Sequence, residues 1–286
     1  MKDAMAVVGS PTIPDAHPRP VPIALTIAGS DSGGGAGIQA DLKTFAACGV
    51  YGASVITAVT AQNTKGVSAV HVVPADIVAA QIDAVFSDLD VRAVKIGMVA
   101  RQDVVEAIVA GLARWTPAPL VVDPVMIATS GDSLLAPDAV AVLRDRLLPR
   151  ATLITPNLPE AAALLGETVA ADDAAIARQG RALLAIGCEA VLIKGGHGSG
   201  PESIDHLFTA DGIVRFPAPR LDTANTHGTG CTLSSAIAAF LARGEDIVSA
   251  VGAAKAYVTA AITAADRLAV GRGHGPVHHF HAIKTP

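Results

Sequence analysis

The sequence predicts an α/β fold in which helices cover both faces of a mostly parallel β-sheet. From Ile23 onward, short apolar runs alternate with segments in which apolar residues recur at helical spacing. The short runs are mostly apolar, as in strands that are buried on both faces of a parallel sheet. Apolar residues make up 51% of the 286 residues, which is ample to bury the core of such a fold.

Each element is predicted from its own stretch of sequence. The first strand is Ile23–Ala28, and Ile38, Leu42 and Phe45 then share one face of a helix. The later strands are expected at Ser54–Val59, Val67–Val73, Ala93–Ile96, Leu120–Val122, Leu153–Ile154 and Val191–Ile193. The later helices are expected at Ile77–Phe86, Val104–Leu112, Ala139–Leu148, from about Pro159, at Ala174–Ile186, Thr229–Leu241 and Ile247–Ala265. Ile204–Thr209 and Ile213–Phe216 form a predicted hairpin around Asp211-Gly212.

Two parts of unequal size are expected. Residues 1–21 are predicted to be a disordered leader, because proline and small residues crowd them without periodicity. Residues 22–286 are predicted to form one domain, since they contain no internal repeat and no linker.

Composition argues against several classes of protein. A formal net charge of −5 is unlike the basic surface of a nucleic-acid binder. No run of about 18 apolar residues is present, so we expect no membrane span. The three cysteines, Cys48, Cys188 and Cys231, are widely spaced, which favours neither a disulfide framework nor a structural zinc site. Because reduced cysteines are typical of the cytoplasm, we expect a cytoplasmic protein. The sequence leaves the oligomeric state open, with a homodimer as one alternative.

A glycine-rich loop, Gly29–Gly37, follows the first predicted strand. Ligands of open α/β sheets bind beyond the carboxyl ends of the strands, and glycines let backbone N–H groups approach an anion. The loop fits neither G-x-G-x-x-G nor the P-loop pattern, so a flexible turn is the alternative.

Polar residues near the predicted strands are further candidates for this site. Asp41 lies in the next helix, where it either complements the helix dipole or belongs to a site. Gln62 and Asn63 follow a predicted strand; an amide can pair with the edge of a heterocycle, or the two residues can form a turn.

The most informative segment is Asn225–Cys231, in which two glycines and two threonines lead into a helix. The unpaired N–H groups and the dipole of a helix N-terminus favour an anion. Cys231 in the first turn is expected to have a depressed pKa, which suits a proton acceptor beside a phosphate. The alternative is a glycine-rich turn with a small buried cysteine.

Asn157 and Glu160 begin another helix, one turn apart. Together they fit either a hydrated Mg²⁺ or a capping box. Lys194 ends a buried strand, where an ammonium needs a partner and is rarely structural.

Taken together, these segments resemble the ribokinase-like superfamily, and within it the hydroxymethylpyrimidine/phosphomethylpyrimidine kinases of thiamin biosynthesis. The resemblance covers about Ile23 to Ile283 and rests on the order of its motifs, which are Ala24–Phe45, Val55–Thr64, Lys95–Met98, Ile154–Glu160, Lys194–His197, Asn225–Ser234 and Gly275–His281. It implies a ribokinase-like three-layer α/β/α sandwich. One departure is Ser32-Gly33, where the family often has Pro-Ser; we expect it to touch no assigned chemistry.

The resemblance also implies roles for matching residues. The substrate pocket would contain Gln62, Gly29, Asp41, Met98 and Val125. Cys231 would be the catalytic base, and Gly228 and Gly230 the anion hole for the transferred phosphoryl group. Lys194, Asn157, Thr226, Gly228 and Gly230 would bind ATP. Glu160 and Asp123 would bind Mg²⁺.

The implied activity is phosphorylation of 4-amino-5-hydroxymethyl-2-methylpyrimidine by MgATP, first to the monophosphate and then to the diphosphate. The rival functions are a pyridoxal or pyridoxine kinase and a non-catalytic pyrimidine-binding protein. The C-terminal histidines, His274, His278, His279 and His281, also allow a metal-binding interpretation, for which the sequence offers only composition.

Overall fold

The structure is a computed structural model that describes residues 21–115, 118–126, 137–198 and 200–283. Residues 1–20 of the predicted leader lie outside the described residues. The strands in the described part are β1 (Ile23–Ala28), β2 (Tyr51–Ile56), β3 (Ala58–Asn63), β4 (Gly66–Val72), β5 (Val91–Ile96), β6 (Leu120–Val122), β7 (Leu153–Ile154), β8 (Val191–Ile193), β9 (Glu202–Thr209) and β10 (Gly212–Pro219).

Eight of these strands form one twisted layer in the order β10-β9-β8-β7-β6-β5-β1-β2. The pairs from β2 to β8 are parallel, and only β9 runs against its neighbours. The central strands are fully buried, because helices cover both faces.

The helices are α1 (Gly37–Ala47), α2 (Ala75–Phe86), α3 (Gln102–Arg114), α4 (Pro137–Val142), α5 (Leu158–Leu165), α6 (Asp173–Leu184), α7 (Thr229–Ala242) and α8 (Ile247–Thr263). One core lies between the sheet and α2 to α6, and a second lies between the sheet and α1, α7 and α8. This arrangement confirms the predicted three-layer α/β/α sandwich. Among the residues that the structure describes, no helix combines the length and apolarity that a membrane span needs.

Two predicted elements differ from the structure. The single strand expected at Ser54–Val59 is two strands, because the chain turns at Thr57, whose N–H donates to Ala28 and whose hydroxyl donates to the Met98 carbonyl. Beyond this turn, β3 and β4 form a separate antiparallel hairpin. The helix expected at Ala139–Leu148 is α4 followed by a π turn and a 3₁₀ turn that contains Pro149, a residue that cannot donate a helical hydrogen bond.

The parallel strands place their following residues along one edge. β1 is followed by Gly29, β6 by Asp123 and β8 by Lys194. The topology thereby brings together polar groups that lie far apart in the chain, as open α/β sheets do at their ligand sites.

Candidate active site

A cavity of about 570 Å³ opens at this edge of the sheet. It contains all but one of the predicted site residues, namely Gly29, Gln62, Met98, Asp123, Val125, Asn157, Glu160, Lys194, Thr226, Gly228, Gly230 and Cys231. The exception is Asp41. Their proximity is a finding of the structure, whereas their individual roles stay predictions.

The middle of the cavity is the N-terminus of α7. Gly228 caps this helix with a φ of 78°, a conformation that glycine adopts readily. Within the described residues, the N–H groups of Gly228, Gly230 and Cys231 have no hydrogen-bond partner, whereas the Thr232 N–H returns to the Gly228 carbonyl. Unpaired amides at the positive end of a helix form an anion-binding site.

Cys231 lies at this helix end and is partly exposed to the cavity. Burial raises its pKa to about 11, and the nearby charge of Lys95 opposes that effect only in part. The sequence-based expectation of a depressed pKa is therefore wrong for this site. Loss of hydration disfavours the thiolate more than Lys95 and the Gly37 N–H favour it, and the carboxylates of Asp41 and Asp123 disfavour it further.

Asp41 was expected to contact the substrate, but the structure places it behind the cavity wall, where it is fully buried. Its carboxylate binds the Lys95 ammonium at 2.9 and 3.0 Å and accepts the hydroxyls of Thr26 and Ser235 at 2.6 Å each. The Lys95 ammonium stays charged: burial favours its neutral form, but the nearby acidic groups, Asp41 foremost, together outweigh burial and raise its pKa. Asp41 is thereby linked to the cavity through Lys95, which lines the wall and to which no role was assigned from sequence.

Lys194 joins the two predicted metal ligands. Its Nζ lies 2.7 Å from Asp123 Oδ1 and 3.8 Å from Glu160 Oε2. Burial favours the neutral amine, but the two carboxylates outweigh it and raise the pKa of Lys194, so the side chain is a cation. Burial raises the pKa of Glu160 to about 6.

The capping interpretation of Asn157 and Glu160 is confirmed. The Glu160 N–H donates to Asn157 Oδ1, and Glu160 Oε2 accepts the Asn157 N–H, both at 2.8 Å. The cap fixes the Glu160 carboxylate at the cavity wall. A capping role and a functional role are therefore compatible here.

The hairpin of β3 and β4 carries Gln62 to the opposite end of the cavity. Its Oε1 accepts a hydrogen bond from the Thr60 hydroxyl at 3.3 Å. The Ser32 hydroxyl donates to the Gln62 carbonyl at 2.7 Å and accepts the Gln62 N–H at 2.8 Å. The departure at Ser32-Gly33 therefore does reach a predicted site residue, contrary to the expectation from sequence.

The remaining end of the cavity was missed by the sequence analysis. It is lined by apolar side chains of the β10 end and of α8, which are Ala218, Pro219, Leu221, Val258 and Ile262. Lys255 and Asp205 form an ion pair of 2.8 Å beside them. No motif distinguishes this region, because the spacing of its apolar residues is the same as in any helix that packs against a core.

The metal-binding interpretation of the C-terminal histidines finds no support in the described ranges, which contain no cluster of three or more His, Cys, Asp or Glu suited to a metal ion. His279 is instead buried and pairs with the Thr232 hydroxyl at 3.1 Å.

Residues 31–278 match the protein family described as phosphomethylpyrimidine kinase. The chain belongs to this family. The hydroxymethylpyrimidine/phosphomethylpyrimidine kinase of Rhizobium meliloti is 64% identical over 259 residues, which are 91% of this chain and 97% of that protein. The thiamine biosynthesis bifunctional protein ThiED of Geobacter sulfurreducens is 51% identical over 267 residues, which are 93% of this chain and 54% of that longer protein.

Solved structures show the same fold. A phosphomethylpyrimidine kinase from Clostridium difficile has a TM-score of 0.75 at 49% identity, covering 84% of this chain and 99% of the other. An ADP complex of Bacillus subtilis pyridoxal kinase has a TM-score of 0.84 at 34% identity, covering 92% and 99%. The predicted fold and family are confirmed.

Proposed function

We propose that this chain transfers the γ-phosphoryl group of ATP to 4-amino-5-hydroxymethyl-2-methylpyrimidine, and then to the monophosphate so formed, in thiamin biosynthesis. The observation that carries the proposal is that one cavity is lined by an amide at Gln62, by three unpaired N–H groups with a thiol, and by a lysine between two carboxylates. Family membership supports the same reaction.

Phosphoryl transfer depends on positioning and charge neutralisation more than on covalent chemistry. The substrate oxygen would attack the γ-phosphorus while the bond from phosphorus to ADP breaks. The unpaired N–H groups of Gly228, Gly230 and Cys231 would receive the equatorial oxygens, and the Lys194 ammonium would balance their charge.

Cys231 would accept the proton of the substrate hydroxyl in the first phosphorylation. Because burial raises the pKa of Cys231 to about 11, the thiol is mostly protonated near neutral pH, and the thiolate that this step needs would be a minor form. The second phosphorylation starts from a phosphate whose own oxygen is already ionised near neutral pH, and it needs no such base.

Asp123 and Glu160 fit a magnesium ion. Both supply carboxylate oxygens at the cavity wall beside Lys194, and Mg²⁺ in phosphoryl-transfer sites takes one or two carboxylates together with waters and phosphate oxygens. When bound, Mg²⁺ would neutralise negative charge on the phosphates. We propose that the adenine ring binds against the apolar side chains of the β10 end and of α8, since they line the same cavity as Lys194.

A coupled assay for ADP release tests the function directly. Hydroxymethylpyrimidine and its phosphate should both support turnover, and pyridoxal should be a poorer substrate. Faster turnover of pyridoxal would favour the rival kinase, and no turnover with any of the three would favour a non-catalytic pyrimidine-binding protein.

Gln62→Leu should lower kcat/KM for hydroxymethylpyrimidine by about 30–150-fold, which corresponds to about 2–3 kcal/mol. The reason is that polar edges of the pyrimidine would be buried without the paired donor and acceptor of the amide. Steady-state kinetics with each pyrimidine measure the effect. Asn63→Leu, one residue further along the exposed hairpin, is the matched control, and equal losses in the two variants would contradict recognition by Gln62.

A cytoplasmic location and a homodimeric assembly remain predictions. Free cysteines at Cys48, Cys188 and Cys231 support the first. Cell fractionation and light scattering on the purified protein would test them.

A further inference from the structure

Asp31 is a buried carboxylate at the centre of the glycine-rich loop, and the proposed reaction does not use it. Its side chain is 1% exposed. It accepts the N–H groups of three loop residues at 2.8–3.0 Å, namely Gly33, Gly35 and Ala36. Burial favours the protonated acid, but the hydrogen bonds from His227 and from the loop outweigh it and hold the pKa of Asp31 below its usual value. The loop is therefore folded around one carboxylate.

The fourth partner of Asp31 comes from the other side of the cavity. His227 Nε2 lies 2.8 Å from Asp31 Oδ2, and the two residues are 196 positions apart in the chain. His227 immediately precedes Gly228, the first of the three unpaired amides at the start of α7. The pair thus connects the loop after β1 to the anion site.

The backbone of His227 is also fixed. Its N–H donates to the Gly275 carbonyl at 3.0 Å, and its own carbonyl accepts the Val277 N–H at 3.4 Å. The C-terminal segment that carries these groups reaches the hairpin as well, where the His274 N–H donates to the Thr64 carbonyl at 2.9 Å. His227 therefore has little freedom to move.

The two loops are packed too closely to shift independently. A Cβ on Gly35 would lie 2.4 Å from His227 Cδ2, and a Cβ on Gly228 would lie 1.9 Å from the Gly35 carbonyl oxygen. Ala36 and Gly37 of one loop and Thr226 to Gly228 of the other all line the cavity. Any displacement of His227 would change the place of the anion site relative to the bound pyrimidine.

We propose that His227, held by Asp31, is a positioning residue for phosphoryl transfer, which fixes the unpaired amides of α7 against the loop that lines the pyrimidine end. The inference rests on the proposed kinase activity. Because a misplacement of about 1 Å can cost about 10²-fold in rate, the pair should act on kcat more than on substrate affinity. It should act on both phosphorylations, since both use the same amides.

His227→Leu should lower kcat by about 10–100-fold for both pyrimidine substrates and change each KM by less than about threefold. His227→Gln, whose amide nitrogen can replace Nε2 as a donor to Asp31, should recover most of the loss. His206→Leu is the control for stability, because His206 is equally buried, at 7% exposure, but lies outside the cavity lining. All rates are divided by the folded fraction from thermal melts.

Coupling is measured by a double-mutant cycle with Asp31→Asn. If the two residues work as one unit, Asp31→Asn/His227→Leu should be no slower than the slower single variant. The positioning role is overturned if kcat per folded protein is unchanged in His227→Leu, if glutamine is no better than leucine, or if only the first phosphorylation is lost. Absence of turnover by the wild-type protein in the same assay would instead contradict the proposed function.

Discussion

Cys231→Ala should lower kcat for the hydroxymethyl substrate by about 10²–10⁴-fold, the usual contribution of a general base, and should affect the phosphomethyl substrate much less. The thiol lies at the cavity beside the unpaired amides of α7, where the proposed reaction would take the proton from the substrate hydroxyl. Affinity should change little, because the thiol contributes mainly to the transition state. Steady-state kinetics of the two half-reactions measure the effect.

The same residue predicts a pH dependence. Since the base must be a thiolate and burial raises its pKa to about 11, kcat for the first phosphorylation should rise with pH throughout the range from 7 to 10. This kcat should therefore fall about tenfold for each unit by which the pH is lowered. The second phosphorylation should be nearly flat above pH 7, because a phosphate monoester has its second pKa near 6.

Cys188→Ala is the matched control, since Cys188 is buried in the core on the other face of the sheet. Alkylation should reach Cys231 faster as pH rises and should be slowed by bound pyrimidine, whereas Cys48 and Cys188 should react slowly throughout. Equal losses on the two substrates would make Cys231 a packing residue, and no loss on either would remove it from the mechanism.

Gly228→Ala should lower kcat/KM for both substrates by at least about 10²–10³-fold, the cost of losing a donor from an anion hole. An alanine Cβ would lie 1.9 Å from the Gly35 carbonyl oxygen, so the start of α7 must shift and carry its unpaired amides with it. Kinetics of both half-reactions and the affinity for ATP measure the outcome.

Gly49→Ala separates this steric effect from backbone strain. Gly49 has a φ of 76°, close to the 78° of Gly228, but a Cβ there would meet no atom within 4 Å. It should lose about 1–2 kcal/mol of stability from the left-handed conformation and keep its activity. If Gly228→Ala retained wild-type rates, the amides of α7 would not be the phosphate site.

Much of the fold was predictable from sequence. β1, β6, β7 and β8 begin and end where their apolar runs do, because a strand buried on both faces is apolar along most of its length. The split between β2 and β3 was not predictable. Thr57 turns the chain through contacts with Ala28 and Met98, which are distant in sequence and leave no local pattern.

The candidate site also divides into residues that local sequence patterns reveal and residues that they do not. The predicted residues that line the cavity were recognisable because glycine-rich turns, a helix-start cysteine and a strand-end lysine are local signals with local causes. The apolar end near Val258 and Ile262 carries no such signal, and it became visible only when α8 was packed against the end of β10.

The sequence by itself therefore determined the fold class, the family and the identity of the polar residues at the strand ends. The tertiary structure decided their electrostatic state and their partners. It placed Cys231 where loss of hydration raises its pKa, paired the buried Asp41 with Lys95, and joined Asp31 to His227. Hydration and long-range pairing set these properties, and both depend on which atoms surround a group in three dimensions rather than on its neighbours in the chain.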